Sequence, residues 1–413
     1  MKEPKIRFKG FSGEWKISEL GDFSTSFSGG TPTAGVSDYY GGDIPFIRSG
    51  EIHEDRTELF ITQSGLNSSS AKIVDKGTLL YALYGATSGE VAISKLEGAI
   101  NQAILAIFPN KSVDKRFLAH FLKSHKERIV SELLQGGQGN LSGTLVKGIP
   151  VSYPELSEQN AIANYIDSID AQISASTSRL ASLKQMKAAS LQAMFPQEGK
   201  TVPKIRFKEF EGEWKKVKFD KAFSFLKNNS LSRAELCNDG DIINIHYGDV
   251  LIKYGDILDI GNDEVIYVAD SNVANKLYTD CPIVNGDIII ADAAEDFTVG
   301  KCVEVQNVTK QKIVSGLHTI PCRPLESAAP NFWGYYINSN SFHRQLLPMI
   351  QGSKISSISK TSLSATYVVF PVVEEQQSIA SFFTSLDRQI ALHAKRLEKL
   401  KQIKATCLDK MFV

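Results

Sequence analysis

Two Glu-Trp-Lys triplets, Glu14-Trp15-Lys16 and Glu213-Trp214-Lys215, set a carboxylate and an ammonium at the spacing of half a metal-dependent nuclease centre. No Pro-Asp precedes either triplet, so each reads better as exposed charges flanking a buried tryptophan. Gly199-Lys200-Thr201 has the tail of a phosphate-cradling loop, but Met194 stands where its first glycine belongs. The chain contains no Pro-Pro dipeptide, which excludes the Asn/Asp-Pro-Pro-aromatic loop that grips the target amine in base-amino methyltransferases. The seven histidines (His53, His120, His125, His246, His318, His343, His393) match no zinc-ligand spacing. His120 and His125 read as ordinary surface or packing residues of a helix, and Gly29-Gly30 and Gly41-Gly42 as turn glycines. This is the pattern of a binder that borrows its catalysis.

The chain states one unit twice. Pro4 to Phe8 reads PKIRF and is followed by Gly13-Glu14-Trp15-Lys16; Pro203 to Phe207 repeats it and is followed by Gly212-Glu213-Trp214-Lys215. Ser157-Glu158-Gln159 and Glu374-Glu375-Gln376 each open a long amphipathic run. The offset between matching positions is 199 residues at Pro4 and Pro203, 209 at Gly77 and Gly286, and 217 from Pro154 and Pro371 to Phe195 and Phe412. The ends match and the middles differ, as expected if the ends share a docking task and each middle recognises its own target. Two similar units predict an internal pseudo-two-fold arrangement.

At 413 residues the chain suits two large domains rather than one core. The spacing predicts an α+β protein with two mixed β-rich domains, residues 1–156 and 197–373, each followed by a helix, 157–196 and 374–413. Gly77–Ala82, Glu90–Ser94 and Ala103–Phe108 read as strands, as do Gly286–Ala291, Lys301–Val305 and His318–Cys322. Helices are expected over about Lys115–Leu134 and Pro330–Ile350. Ile162, Ile166, Ile169, Ile173, Leu180 and Leu183 recur in steps of four and three, with Ser176 in the one polar slot. Ile379, Phe383, Leu386, Ile390, Leu397 and Leu400 repeat them, with His393 in that slot. These are heptad seams, and two in one chain predict an intramolecular antiparallel coiled coil, the blander alternative being that each stripe packs on its own domain. Ser157 suits a cap, Glu158, Glu374 and Glu375 suit helix N-termini, and Pro196 stops the first helix. No membrane span or leader is evident, and five widely spaced cysteines without a CxxC read as reduced thiols. A cytoplasmic protein is expected.

The segment FSGGTPTAGVSDYYGGDIPFIRSGEI (Phe27–Ile52) and the segment QGNLSGTLVKGIPVSYPELSEQ (Gln138–Gln159) closely resemble the opening and the exit of a target-recognition domain in the specificity subunit of type I restriction-modification enzymes. LSRAEL (Leu231–Leu236) and INIHYGDVLIKYG (Ile243–Gly255) resemble the opening of a different domain type, so the resemblance implies an asymmetric two-part DNA site. It further implies a non-catalytic subunit that binds double-stranded DNA and two adenine-N6 methyltransferase subunits, and recruits motor-nuclease subunits. No cofactor is expected in this chain; S-adenosylmethionine, ATP and Mg belong on the partners.

Within that resemblance, base edges call for arginine, Asn and Gln, and phosphates for Lys, Ser, Thr and backbone amides. The candidates in the first domain are Thr31, Arg48, Ser49, Tyr84, Ser88, Asn101, Gln102, Gln138 and Asn140. In the second they are Asn229, Ser232, Arg233, His246, Tyr247, Lys253, Tyr254, Thr298, His318 and Lys354. Tyr39 and Tyr40 read as core. One observation opposes: net charge is zero, and Asn228–Pro330 holds 16 Asp or Glu against seven Lys or Arg, whereas a lone DNA-binding domain is usually basic. The rival reading is therefore a coiled-coil scaffold that binds proteins or glycans and no nucleic acid.

Overall fold

The computed structural model describes residues 3–134, 140–352 and 355–413. The chain forms two compact units, Met1–Thr177 with Lys395–Val413, and Ser178–Ala394. The division falls within two 38-residue helices, Leu156–Ala193 and Val373–Lys410, so each unit holds the start of one helix and the end of the other.

In the first unit an antiparallel sheet has the strand order Ser24–Ser28, Ile104–Pro109, Leu79–Ala82, Val91–Ile93. A second sheet has the order Phe60–Ile61, Tyr40–Ile47, Gly98–Ile100, Lys72–Val74, its middle two strands running parallel. The central strands are continuous apolar runs because both of their faces are covered. Leu79, Tyr81, Leu105 and Ile107 face one core, and Leu80, Ala82, Ile104 and Ala106 the other. Gly29, expected as a turn glycine, serves a close approach instead: a Cβ there would lie 1.8 Å from the Ile100 carbonyl oxygen.

The second unit repeats the plan with five strands in the order Phe223–Phe225, Thr319–Pro324, Ile288–Ala291, Cys302–Gln306, Ile257–Asp259. Its other sheet runs Leu236–Cys237, Tyr267–Val268, Ile242–Ile245, Lys312–Ser315. The expected helices are interrupted. Lys115–Ser124 and Lys126–Leu133 break at His125, whose ring stacks on Phe121 at 4.3 Å. Phe332–Asn338 and Asn340–His343 break at Ser339, which is extended, buried and donates its hydroxyl to the Tyr336 carbonyl.

Each entry segment closes its unit in the same way. The strand Lys16–Glu19 pairs antiparallel with Pro150–Tyr153, and Lys215–Lys218 with Tyr367–Phe370, each just after a buried tryptophan, Trp15 or Trp214. Arg7 forks onto Glu158 through two hydrogen bonds of 2.8 Å, and Arg206 onto Glu375 through two of 2.7 Å. All three glutamates expected at the helix N-termini lie in the first turns, but two of them, Glu158 and Glu375, are in addition buried partners of arginines, while Glu374 is exposed. Ser157 does not cap: the Glu155 carbonyl accepts from the Glu158 and Gln159 amides, which places Ser157 already inside the first turn.

The apolar stripes serve both functions weighed for them. In the first unit Ile162, Ile166 and Ile169 are buried in the domain core together with Cys407, Met411 and Phe412, and Ile173 lies at its margin. In the second, Leu183, Met194 and Phe195 join Ile379, Phe383 and Leu386, with Ile390 at the margin. Leu397 is buried, and Leu180 and Leu400 are half-buried. Within each unit the two helices run antiparallel. Tyr165 meets Cys407 while Asp170 meets Lys404 in one; Lys187 meets Asp387 while Phe195 stacks on Phe383 in the other.

Candidate nucleic-acid interface

Antiparallel neighbours alternate ends and turns, so one edge of each sheet collects the loops that follow one strand and precede the next. In the first unit, strands Ser24–Ser28 and Leu79–Ala82 end where Ile104–Pro109 and Val91–Ile93 begin. The parallel strands Tyr40–Ile47 and Gly98–Ile100 end at the same edge. Backbone bonds fasten these loops together: Gly30 N–H to Ile100 O, Asn101 N–H to Ile47 O, Leu83 N–H to Ala103 O and Leu141 N–H to Leu83 O.

The described candidates of the first unit all fall on that edge. Thr31 and Gln102 are exposed, the threonine hydroxyl donating to the Gln102 side-chain carbonyl at 2.5 Å. Tyr84 and Asn140 face each other in an isolated bridge. Asn101 accepts from the Ala103 amide in a local turn, and Ser49 opens the short turn Ser49–Glu51. Ser88 is buried, its hydroxyl bonded to the Leu83 carbonyl, which gives it a structural task. Gln138 lies outside the described residues.

Arg48 is held most firmly. Its Nε and Nη2 donate to the two oxygens of Glu51 at 2.9 and 3.0 Å, and Nη2 also donates to Glu58 at 2.8 Å. Glu51 additionally accepts from the Arg48 and Glu58 amides and from the Thr57 hydroxyl. Led by the Arg48 side-chain bond, these donors hold its carboxyl down at about 2.

The second unit builds the matching edge. Strands Ile242–Ile245 and Lys312–Ser315 are parallel and end together, joined by Gly316 N–H to Ile245 O and Tyr247 N–H to Leu317 O. Asp292 N–H to His318 O brings in the end of Ile288–Ala291. His246, Tyr247 and His318 form a run of rings with centroids 4.6 and 5.2 Å apart. Burial lowers the His246 pKa, and its Nδ1 accepts from the Gly248 amide. His318 is exposed, pairs with Asp292 and adopts φ +53°.

Arg233 donates through Nη1 to the buried carboxylate of Asp249 at 2.6 Å while over half of its side chain remains exposed. Ser232 closes a capping box with Glu235, and Thr298 donates to Asp296. Lys253 pairs with Glu264. Two candidates are turned inward: Asn229 donates to Asn244, and Tyr254 is buried with its hydroxyl on the Glu264 carbonyl. Lys354 lies outside the described residues.

Two kinds of residue carry no forked hydrogen-bond donor and were not legible as base readers in the sequence. Phe297, in the loop after Ala293–Ala294, is 74% exposed, and Ile252, the last residue of the short helix Tyr247–Ile252, is 89% exposed. An apolar residue inside Glu295-Asp296-Phe297-Thr298 was the available signal for the first. The carboxylates Glu51 and Asp249, which anchor the arginines, were also missed; only Glu51, three residues from Arg48, had a spacing that could have shown it.

Sheet edges that gather polar loops on two similar units have the geometry of recognition surfaces. Comparison with known proteins specifies the kind. The model of the family described as the type I restriction modification DNA specificity domain matches residues 12–185 and 212–402. The chain belongs to that family: it is a non-catalytic, DNA-binding specificity subunit that assembles with other subunits, which carry the catalysis. It is 20% identical to the type I restriction enzyme MjaVIII specificity subunit of Methanocaldococcus jannaschii, over 96% of this chain and 91% of the relative. It is 23% identical to the EcoKI specificity subunit of Escherichia coli, over 87% and 80%. The crystal structure of the type I restriction-modification S subunit from M. genitalium superposes with a TM-score of 0.61, at 16% identity, covering 100% of this chain and 99% of that one. Among the described residues no helix is long and apolar enough to cross a membrane.

Proposed function

We propose that each unit reads one half of an asymmetric, bipartite double-stranded DNA site through the loop edge described above. The observation that carries this reading is the convergence of Thr31, Arg48, Tyr84, Asn101, Gln102 and Asn140, distant in sequence, on one edge of two sheets. Different loops in the second unit would read a different half-site. The long helices set the spacing between half-sites and, with the matching ends of the repeat, dock two adenine-N6 methyltransferase subunits. S-adenosylmethionine sits on those subunits, and ATP and Mg serve motor-nuclease subunits that join the complex. The acidic surplus of the second unit means that partners supply much of the phosphate clamp, so the isolated chain binds DNA weakly.

Native mass spectrometry with the partner methyltransferase should give two copies per chain, and methylome sequencing with and without the gene should reveal a two-part adenine-methylated motif. The purified chain alone should neither methylate nor cleave DNA. A complex that forms but leaves the methylome unchanged in every sequence context overturns this reading and favours a protein-binding scaffold.

A further inference from the structure

We propose that Arg48 and Arg233 are guanine-reading residues, each aimed by a carboxylate of its own unit, Glu51 and Asp249; this rests on the DNA-reading function proposed above.

Arg48 carries one positive charge and sits against two carboxylates, Glu51 and Glu58, at 2.8 to 3.0 Å. The cluster is net negative, so a phosphate approaching it meets repulsion from the pair of glutamates. Arg233 lies beside Asp249 at 2.6 Å, which cancels its charge before any ligand arrives. An arginine meant for phosphate is better left unpaired. A guanine edge, by contrast, is uncharged and presents two acceptors, O6 and N7, which need directed N–H groups and not net charge.

The geometry leaves those groups available. Glu51 takes the Nε–Nη2 edge of Arg48, and Nη1 makes no hydrogen bond among the described residues. The other edge of the fork, Nη1 with Nη2, is therefore the one turned away from the anchor. Only Glu58 contests it, through one bond to Nη2 from a side chain that is 84% exposed. That bond is screened by water and is exchanged for guanine O6 at small cost. In Arg233 the anchor takes one nitrogen, Nη1, and leaves Nε and Nη2 without a partner among the described residues.

The anchors are built to stay put. Glu51 accepts from five donors, and its side chain is 13% exposed; the Asp249 side chain is 7% exposed at the start of the short helix Tyr247–Ile252. A free arginine must give up its rotamer freedom on binding, whereas the two-bond fork to Glu51 fixes the plane of Arg48 beforehand and the single bond to Asp249 tethers Arg233. Nearby carboxylates also penalise any anionic contact, which converts weak overall attraction into discrimination. The acidic second unit fits this role, because its charge opposes indiscriminate phosphate binding.

The test uses the full chain reconstituted with its methyltransferase partner, read by methylome sequencing and by binding to oligonucleotides at several salt concentrations. Arg48→Ala should relax one G·C position in one half-site by roughly tenfold or more. The other half-site and the salt slope should be unchanged. Arg48→Lys keeps the charge but loses the fork, and should relax the same position. Arg233→Ala should relax one G·C position in the opposite half-site. Glu58→Gln should tighten binding without changing the bases read. If Arg48→Ala instead weakens all sequences evenly and lowers the salt slope by about one, Arg48 contacts phosphate and the proposal fails. Retention of specificity by Arg48→Lys overturns it as well. A wild-type complex with no base preference overturns the DNA-reading function itself, an outcome distinct from a variant that merely leaves the wild-type motif intact.

Discussion

The ammonium of Lys187 lies 2.6 Å from Asp387 across the two long helices, and the same pair recurs one repeat later with its roles exchanged, Lys404 against Asp170 at 2.5 Å. Lysine and aspartate each recur at an offset of 217, the offset of the helices themselves. Repetition of one sequence therefore supplies both halves of both bridges.

The two bridges are chemically unequal. Lys187 also holds Asp256 at 2.7 Å and is 19% exposed, whereas Lys404 is 27% exposed and its pairing with Asp170 is a single contact. Lys187→Ala leaves two carboxylates facing each other without a cation and should cost about 3 kcal/mol in the second unit. Lys404→Ala should cost about 1 kcal/mol or less. Urea unfolding of each variant checks this; equal losses would show that Asp256 contributes nothing.

A second prediction concerns the arginine forks. Glu158 and Glu375 are almost fully buried, and each has one arginine as its counter-charge. Arg7→Ala should destabilise the first unit, and Arg206→Ala the second, by about 3 to 5 kcal/mol each, because a buried carboxylate is left unpaired. Hydrogen exchange separates the units: protection should fall around Ser12–Gly13 in one variant and around Gly212 in the other. A loss spread equally over both units would count against local anchoring.

The Glu51 carboxyl responds to acid. Its folded pKa is depressed from 4.5 to about 2, so its stabilisation is complete above pH about 4.5 and declines as pH falls toward 2. Glu51→Gln should cost about 1 to 2 kcal/mol near neutral pH. That difference from wild type should shrink between pH 4.5 and 2.5 in thermal unfolding. A difference independent of pH would mean that Glu51 acts through packing rather than charge.

Under the proposed function the helices are a ruler. One heptad inserted after Leu183 and another after Ile390, the facing position given by the Lys187–Asp387 pair, keeps the apolar seam in phase. Seven residues add roughly 10 Å at about 1.5 Å each, so the unread gap between half-sites should widen by about three base pairs while the bases read stay the same. An unchanged gap in the methylome of a folded, active variant rules the ruler out.

By itself the sequence determined the repeat, the helix pair and most of the central strands. Periodicity is a local property: Ile162 to Ile173 and Ile379 to Ile390 announce their helices whatever they pack against. It also identified the buried tryptophans, since Trp15 and Trp214 sit between charges that cannot follow them inward. Only the tertiary structure decided what those elements share. Ile162, Ile166 and Ile169 belong to a domain core as much as to a helix pair, and no spacing reveals that the other stripe's end, Cys407 to Phe412, completes the same core. Tyr254 and Ser88 have the composition of surface loops yet point inward, because burial depends on which distant segment covers them. Glu158 lies in its helix's first turn and is also the anchor of Arg7, and Asp249 met Arg233 only when the helix Tyr247–Ile252 and the short turn Arg233–Glu235 folded onto one sheet edge. Local pattern fixes elements; partnerships between residues far apart in sequence are set by how those elements pack.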